Sequence, residues 1–516
     1  MRLLRPATGV FIAFCLVLVA SAAPAARVGG RQVLADDAGA AHVARFNTME
    51  PEAVVSLVPN AEAWPWLQAN VPAFECADAE VEEIYWFRWW ALRKHLRRDA
   101  ESGRLVFSEF ITRPKPVSSG LGHQLHEGRW LRDQAPFDDY VLYWLRGPEG
   151  KPQPHLHKYS QWLAQALWQR ALVTGDMAGL TGLLDDLVAD YRQWETERRR
   201  PDGLFWQADV WDAMEESISG GRKVKNVRPT ISVYMAANAE AIAAIARGAG
   251  RTELADEFAA KAAALRALVQ KTLWNEDRVF FCSVTEALER IPVREAIGFI
   301  PWYFNLPEPG RGYERAWAQI RDDQGFRAPY GLTTAERRDP TFRSRGTGTC
   351  EWDGAIWPFA TAQTLTALGN VLHDYPQDTV TNRDYYDAFL TYVRSHRYDG
   401  LPYIGEYQDE TTGQWLKGRD PRSYYYNHST FADLLITDVV GLRPRADDQI
   451  EVHPLLPENT WAWFCLDGVR YRGRDVTILW DRDGTRYGRG AGLQVIVNGQ
   501  VVLKSDKLER VIGRLP

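Results

Sequence analysis

The most regular pattern in the chain is a series of long amphipathic segments, in which apolar residues recur every three or four positions. This spacing puts the apolar side chains on one face and predicts α-helices. The helices are expected in pairs, joined by loops rich in Gly, Pro and Trp. The predicted pairs are 138–146 with 159–172, 177–194 with the acidic stretch 205–221, 230–248 with 253–274, 313–321 with 357–371, and 383–395 with 427–440.

Two regions outside these pairs complete the expected architecture. Residues 80–98 predict a further helix with acids first and bases last, and 105–111 alternates like a strand. After Pro444, short apolar or alternating runs at 449–454, 476–481 and 492–504 are broken by DRDG and NG turns and predict strands. We therefore expect a mainly α protein, a closed toroid of helical hairpins with a small C-terminal antiparallel β module. A helical solenoid is the alternative.

The N-terminus has the pattern of a secretory signal. Arg2 and Arg5 precede an apolar run at 10–20, and small residues follow it. We expect cleavage after Ala22 or Ala25 and a periplasmic or secreted mature chain without a membrane span. The expected organisation is a signal peptide at 1–25, an N-terminal arm at 26–77, a helical catalytic domain at 78–444 and the β module at 445–516.

Composition narrows the classes of function. A 45% hydrophobic content in 516 residues permits a large core and excludes a disordered or fibrous chain. The net charge is only -6 and there is no basic block, so nucleic acid is not an expected partner. The 21 Trp and 21 Tyr suit a carbohydrate, which has polar edges and flat apolar faces. No spacing typical of a metal site occurs, and we expect no metal and no cofactor.

The densest candidate chemistry lies in FWQADVWDAMEESISGG, residues 205–221. Crowding by like charge and aromatic walls raises the pKa of a carboxyl group, which can then act as a general acid. If a helix begins near Asp212, then Glu215 lies beside it on the same face. The alternative is that Asp212 only caps this helix and the Glu residues lie idle in its first turn, where they favour the helix dipole. Trp206 and Trp211 provide flat surfaces on which sugar rings stack. Glycoside hydrolysis then requires a second carboxylate elsewhere.

Four other loops supply the remaining candidates. In 122–133 a rim of charged and aromatic residues is expected to bind hydroxyl groups, although an ordinary helix entrance explains it equally well; its members are Glu127, Arg129, Trp130 and Asp133. The loop 350–363 places Trp352 and Asp353 before a helix, and 424–435 places His428 in a pocket wall. In the turn-rich loop 403–415, Glu406 is the candidate second acid and Tyr407 its neighbour.

These segments carry a resemblance to a known group of enzymes. WDAMEESISGG, CEWDGAIWPFATAQ and GEYQDETTGQW followed by YNHSTFADLL resemble, in this order, motifs of six-hairpin, (α/α)6-barrel glycosidases. The mannosylglycerate hydrolase-like group is the most similar, with trehalases and processing α-glucosidases more distant, and the resemblance spans about residues 78–457. It implies the (α/α)6 fold, inverting hydrolysis, Glu215 or alternatively Asp212 as general acid, and Glu406 as general base. The Pro of the base motif is replaced around Glu410.

Three functions are weighed. The first is an exo-acting inverting hydrolase of an oligosaccharide or small glycoside, with α-glucosidic or α-mannosidic bonds favoured and rhamnosidic bonds open; Glu215 would be protonated and Glu406 wetter and ionised. The second is a polysaccharide lyase, whose base and uronate clamp would come from His123, His126, His155 and His157 with Arg129 and Arg132. The third is a glycan-binding protein without catalysis.

Overall fold

The computed structural model describes residues 28–50, 52, 54, 56–344, 350–418 and 423–516. The expected signal segment 1–25 lies outside these ranges. Within them, no helix combines the length and the apolar character that crossing a bilayer requires. The α-helices are α1 Ala40–Met49, α2 Ala63–Asn70, α3 Ala79–His95, α4 Leu121–Gly128, α5 Ala135–Leu145, α6 Leu163–Thr174, α7 Met177–Thr181, α8 Leu184–Arg198, α9 Ile231–Gly248, α10 Thr252–Leu273, α11 Ile300–Tyr303, α12 Pro358–Asp374, α13 Asn382–Ser395 and α14 Ala432–Leu434.

Six helical hairpins form a closed (α/α)6 toroid. Its inner ring consists of α4, α6, α9, α11, α12 and α14, in which α4 contacts α6 and α14, α6 contacts α9, and α12 contacts α11 and α14. The outer partners are α3, α5, α8, α10, the 3-10 helix Tyr313–Ile320 and α13. Residues of α4, α9 and α12 are buried almost all round, whereas α8 and α10 bury a single face. This difference is the one expected between inner and outer helices.

The expected toroid is confirmed, but one predicted pair is wrong. Residues 177–194 do not pair with a helix in the acidic stretch; α7 and α8 cover them, and α8 packs on α9. The acidic stretch is a loop with one 3-10 turn, Asp209–Asp212, which ends at Ala213 in a left-handed conformation with φ 60°. The final predicted helix, 427–440, is also shorter than expected. Its α-helical part, α14, begins only at Ala432, and a π-helical turn, Leu435–Val439, follows it.

Short strands connect the helices and longer ones form the C-terminal sheets. The strands are β1 Ala73–Cys76, β2 Leu96–Arg98, β3 Leu105–Phe107, β4 Gln207–Ala208, β5 Lys225–Val227, β6 Trp274–Asn275, β7 Phe280–Phe281, β8 Val284–Thr285, β9 Arg327–Ala328, β10 Gly331–Leu332, β11 Arg397–Tyr398, β12 Leu401–Pro402, β13 Leu442–Arg443, β14 Gln449–Val452, β15 Trp463–Tyr471, β16 Arg474–Asp481, β17 Gly492–Val497, β18 Gln500–Ser505 and β19 Val511–Arg514. Residues 96–98, expected to be helical, instead form β2 and pair with β3.

The C-terminal module contains two antiparallel sheets, with strand orders β1-β15-β16-β17-β18 and β13-β14-β19. Strand β1 lies in the segment that we predicted to be an arm, so this segment and the C-terminal module share a sheet. The buried carboxylate of Asp467 fastens the two together by accepting backbone N–H groups of Gln32, Val33 and Leu34 at 2.7–3.0 Å. Thr477 Oγ1 donates a fourth hydrogen bond to it at 2.5 Å.

Candidate active site

A cavity of about 420 Å³ opens at the end of the toroid where the inner helices begin. Its walls come from the segments that precede α4, α6, α9, α12 and α14, because loops at one end of a helical toroid converge on its axis. The residues that matter for the chemistry are Glu109, Tyr159, Glu215, Trp352, Glu406 and Tyr426. Two carboxylates expected from sequence, Glu215 and Glu406, thus meet in one cavity although 191 positions separate them.

Glu215 is half-buried and is held by an aromatic wall. Its Oε2 accepts a hydrogen bond of 3.0 Å from the indole Nε1 of Trp352. Trp352 stacks on Trp357 with ring centroids 4.1 Å apart, and Trp357 stacks in turn on Phe359 at 4.4 Å. A neutral donor orients the carboxyl group and still permits its protonation, as a general acid requires.

A buried ionic network shapes the loop that carries Glu215. Arg228 is completely buried and donates to Asp212 from Nε and to Asp209 from Nη1, each at 2.7 Å. Burial opposes the charge of Arg228, but these two carboxylates outweigh that effect and raise its pKa. Thr230 Oγ1 also donates to Asp212, and Glu295 accepts the backbone N–H of Ile218 at 2.9 Å. The acids of this stretch therefore have two different locations: Asp209 and Asp212 belong to the buried network, and Glu215 lines the cavity.

Asp212 is consequently placed apart from the cavity. Its side chain is 1% exposed, and Ser160, Thr230 and Arg228 occupy its oxygens. The sequence left Asp212 and Glu215 as alternatives because Arg228, the basic partner of Asp212, follows the acidic stretch and gives no helical spacing. The position of Glu215 beside Trp352 favours Glu215 for proton transfer.

Glu406 is paired with a cation. Lys417 Nζ lies 2.8 Å from Glu406 Oε2 and 4.9 Å from the centre of the Tyr407 ring. Glu406 is only 8% exposed, whereas Glu215 is half-buried, so the expectation that Glu406 is the wetter of the two is wrong. The loop closes over Glu406 because Gln408 pairs with Ile356 through reciprocal backbone hydrogen bonds of 2.9 Å. Glu406 therefore has an adjacent ammonium group, and not bulk water, as its nearest partner.

The pKa values of two tyrosine hydroxyls are affected by the carboxylates around the cavity. Burial raises the pKa of Tyr159 to about 12, and the charges of Glu215, Glu109 and Glu406 add to this effect. Burial likewise raises the pKa of Tyr426, and the same three carboxylates contribute. Three carboxylates, Glu215, Glu406 and Glu109, therefore lie close to the same part of the cavity. Glu109 was not a candidate in the sequence analysis.

The predicted rim 122–133 lies at the other end of the toroid. The 3-10 turn Ser118–Gly120, whose Ser118 and Ser119 line the cavity, leads into α4; α4 rises about 12 Å over its eight residues, so its C-terminal end is remote. Glu127 caps α14 there by accepting three backbone N–H groups at 3.0 Å. Both Arg129 and the indole of Trp130 bind Asp433, and exposed Asp133 accepts the N–H of Ala135 at the start of α5. None of these four residues lines the cavity.

Other expected contact residues flank or support the cavity without lining it. Trp206 and Trp211 lie 5.8 Å apart and share the guanidinium of Arg198, which covers both rings. Asp353 is completely buried, and Tyr407 packs edge-on against Trp352 at 5.4 Å. His428 is completely buried behind Glu109. Trp352 is the one expected substrate-binding residue that the cavity includes.

The histidines and arginines proposed for a lyase are not assembled at the cavity. His123 is completely buried between Trp162 and Phe359, with ring centroids 5.2 and 4.4 Å away. His126 and Arg129 belong to the far end, together with Asp433. His155 alone lines the cavity, and burial followed by the charges of Lys158 and Lys115 lowers its pKa.

Several cavity residues escaped the sequence analysis. Tyr159 precedes α6 in a turn and Glu109 follows β3. Lys417, which binds Glu406 next to the cavity, comes from the loop after Trp415. Trp357 is only 2% exposed, as a core residue would be, yet it also lines the cavity. The available signal was position: each of Tyr159, Trp357 and Tyr426 lies just before an inner helix.

Comparison with known proteins gives two family matches. The profile described as mannosylglycerate hydrolase MGH1-like glycoside hydrolase domain matches residues 113–429, which include Glu215 and Glu406. The profile of the C-terminal domain of glycosyl hydrolase family 65 matches residues 442–503, within the β module.

Solved structures extend this comparison. The chain is 46% identical to a structure named sialidase with a TM-score of 0.91, over 93% of this chain and 45% of the other. The chain thus spans less than half the length of that relative. A glycoside hydrolase family 78 rhamnosidase of Bacillus sp. GL1 has a TM-score of 0.58 at 15% identity, over 83% of this chain and 41% of the other. The family 63 mannosylglycerate hydrolase of Thermus thermophilus in complex with glucose has a TM-score of 0.50 at 16% identity, over 68% and 98%. The last two show the fold alone.

Proposed function

Because the chain belongs to the mannosylglycerate hydrolase MGH1-like glycoside hydrolase domain family, we propose that it hydrolyses a glycosidic bond with Glu215 and Glu406 as its catalytic pair. The observation that carries this proposal is their meeting in one cavity of about 420 Å³ beside Trp352. Two carboxyl groups on either side of a bound glycoside are the minimum that this reaction needs.

In the proposed reaction Glu215 is the general acid. It gives its proton to the glycosidic oxygen as the bond to the sugar breaks, so that the leaving alcohol departs uncharged. The indole N–H of Trp352 fixes one carboxyl oxygen of Glu215 and leaves the other for the substrate. Trp352 and Trp357 offer apolar surface next to the reacting bond, which suits a sugar face.

Glu406 is the general base in this scheme. It takes a proton from a water molecule that attacks the anomeric carbon from the face opposite the leaving group, and the product has inverted configuration. Lys417 Nζ lies 2.8 Å from Glu406 Oε2 and orients this carboxylate. An inverting pair needs about 6.5–9.5 Å between its carboxyl groups, which leaves room for that water.

The shape of the cavity supports action on a chain end or a small glycoside. Behind Trp357 in the cavity wall, Phe359 stacks on Trp357 at 4.4 Å and packs edge-to-face on Trp162 at 6.3 Å, so aromatic rings obstruct the path of a polysaccharide chain along the axis. We favour α-glucosidic or α-mannosidic bonds. Arg113, Lys115 and Lys158 line the cavity and make no ion pair with any described residue, so glycosides that carry a carboxylate are also candidates.

The test is a screen of the purified chain against 4-nitrophenyl α-glycosides of glucose, mannose and rhamnose, together with sialosides and glycosyl glycerates. We expect release of a reducing sugar from at least one of them. Glu406→Gln should abolish turnover of every substrate, by about 10²-fold or more, and azide should partly restore it. A product that absorbs in the ultraviolet would instead identify a lyase, and binding without turnover would identify a glycan-binding protein.

We also propose that the mature protein is periplasmic or secreted, on the basis of the apolar run at 10–20 and the small residues after it. N-terminal sequencing of the protein recovered from periplasm or medium should find a start at Ala23 or Ala26. Recovery of the chain with Met1 intact would contradict this proposal.

A further inference from the structure

A third carboxylate, Glu109, lines the catalytic cavity, and backbone hydrogen bonds to a neighbouring segment fix its position. Asn427 N–H donates to the carbonyl oxygen of Glu109 at 3.0 Å, and Ile111 N–H donates to that of Tyr424 at 2.8 Å. The side chain of Glu109 is 21% exposed, and this exposed part lines the same cavity as Glu215 and Glu406. Its backbone is therefore fixed before substrate binds, as a specific contact requires.

A buried histidine supports Glu109 from behind. His428 Nδ1 lies 3.4 Å from Glu109 Oε1, and the imidazole is completely buried. Burial lowers the pKa of His428 to about 3, so the ring is neutral near pH 7. Nδ1 also lies 3.5 Å from Ser119 Oγ, and because a carboxylate only accepts hydrogen bonds, a neutral ring with its proton on Nδ1 places that N–H beside Glu109 and Ser119.

The approach of this ring requires the glycine at position 120. A β-carbon on Gly120 would lie 2.1 Å from His428 Cδ2, far inside van der Waals contact. On the other side, Tyr426 covers the ring at a centroid distance of 5.2 Å. The imidazole is thus confined between Gly120 and Tyr426, with Nδ1 next to Glu109 and Ser119.

The role of Glu109 follows from the number of acids in the cavity. Inverting hydrolysis uses two carboxyl groups, and Glu215 and Glu406 account for them. A third carboxylate exposed to the same cavity is a strong acceptor for sugar hydroxyl groups, because hydrogen bonds to charged acceptors are stronger than neutral ones. A substrate that lacks the matching hydroxyl loses this charge-assisted hydrogen bond, which discriminates between sugars.

We propose that Glu109 binds a hydroxyl group of the sugar ring and sets the sugar specificity of the cavity, and that His428 is the positioning residue that holds it. This inference rests on the proposed glycoside hydrolase function. It assigns Glu109 to recognition and not to proton transfer, and it gives His428 a role behind the substrate-binding surface.

The experiment compares the preferred aryl glycoside with its set of monodeoxy analogues, each lacking one ring hydroxyl. Glu109→Gln keeps the shape of the side chain and removes its charge, and Glu286→Gln, at an exposed site, is the matched control. We expect Glu109→Gln to lower kcat/KM on the parent glycoside roughly ten- to hundredfold. One deoxy analogue should be cleaved equally by the variant and the wild type. The control should behave as wild type on every substrate.

His428 is tested with two variants. His428→Leu removes the donor and should reproduce the altered preference among deoxy analogues, with no further change when combined with Glu109→Gln. His428→Asn keeps an N–H near the position of Nδ1 and should restore most of the wild-type preference. Thermal unfolding of each variant checks that the fold is retained, and a structural role alone would lower stability without changing the preference.

The outcomes separate this inference from the function on which it rests. An unchanged kcat/KM for Glu109→Gln, or an equal loss on every deoxy analogue, would overturn the recognition role while hydrolysis by the wild type stands. Complete loss of turnover that azide restores would make Glu109 the base and overturn both assignments. A wild-type chain that cleaves none of the glycosides would overturn the proposed function and this inference together.

Discussion

At the scale of single residues, the two proposed catalytic carboxylates differ by their nearest partner. Glu215 accepts from a neutral indole, and Glu406 is bound by an ammonium group. The sequence predicted the same division of roles for another reason, a drier Glu215 and a wetter Glu406, and that reason is wrong. Lys417 gave no signal in the sequence because its contact with Glu406 depends on how the loop folds back.

The first prediction concerns the proton donor. Glu215→Gln should lose about 10²-fold or more in kcat on glycosides with poor leaving groups and retain more activity on activated aryl glycosides, which need less protonation. Steady-state rates over a series of leaving groups measure this dependence. The neighbouring Glu216→Gln is the matched control, since Glu216 pairs with Arg222 and does not line the cavity. Equal losses across the series would contradict the acid role.

The second prediction concerns Asp212. Asp212→Asn leaves Arg228 buried with one carboxylate fewer, and breaking a buried ion pair costs about 3 kcal/mol or more in the free energy of unfolding. Denaturant unfolding should show this loss, while the folded fraction keeps measurable activity. A stable Asp212→Asn protein without activity, beside a near wild-type Glu215→Gln, would make Asp212 the acid.

At the scale of elements, the helices were predictable and the loops were not. Helices such as α9 and α12 follow from a local apolar pattern, and their bounds agree with the expected ranges to within a few residues. The acidic stretch was expected to be helical because its acids are spaced at i, i+3 and i+4. Arg228 and Glu295 hold it as a loop instead, and both lie outside the stretch.

The prediction that residues 122–133 form a substrate-binding rim is wrong for a related reason. Its residues were chosen for chemistry suited to sugar hydroxyls, but α4 carries them away from the cavity entrance. Sequence shows that Glu127 and Arg129 are near each other along the chain, and it does not show at which end of the toroid they lie. Recognising that inner helices all start at the cavity would have selected Tyr159 and Tyr426 in their place.

The third prediction concerns the junction of α8 with the turn at His157. Its imidazole lies 2.8 Å from Asp190 and 3.1 Å from Glu197 and stacks on Trp194 at 4.2 Å, so the side chain is largely enclosed at this junction. Burial opposes the charge on His157, but the two carboxylates outweigh it and raise the pKa.

A raised folded-state pKa stabilises the protein fully below the unfolded value of about 6.5, and this stabilisation is lost as pH rises through the folded value. His157→Gln should therefore lower the free energy of unfolding more at pH 6 than at pH 9. Unfolding curves at both values test this. His155→Gln is the comparison, because the pKa of His155 is lowered and no such loss at low pH is expected. An equal effect of His157→Gln at both pH values would contradict the ion pair.

At the scale of the whole molecule, the N-terminal segment and the C-terminal module are joined by one carboxylate. Asp467→Asn keeps the size of the side chain, but its amide nitrogen cannot accept the N–H groups now bound by Asp467. Leaving buried donors unsatisfied costs about 1–3 kcal/mol. Unfolding of Asp467→Asn should show this loss, and exposed Asp448→Asn should show none. An unaltered stability would mean that the shared sheet does not depend on this contact.

The two ends of the toroid have separate roles. An aromatic layer that includes Trp162, Tyr234 and Phe359 divides the catalytic cavity from a second cavity of about 550 Å³ at the opposite end. That second cavity is lined by ion pairs such as Arg129 with Asp433, which fasten the inner helices to one another. The two proposed catalytic carboxylates therefore lie at the end where the inner helices begin.

The stereochemistry of the reaction tests this account most directly. Proton NMR of a hydrolysis, recorded before the product sugar mutarotates, identifies the anomer that is released first. Because water held by Glu406 attacks opposite the bond that Glu215 protonates, an α-glycoside should yield the β-anomer first. Release of the α-anomer would show retention of configuration and would contradict the two-carboxylate, single-displacement mechanism.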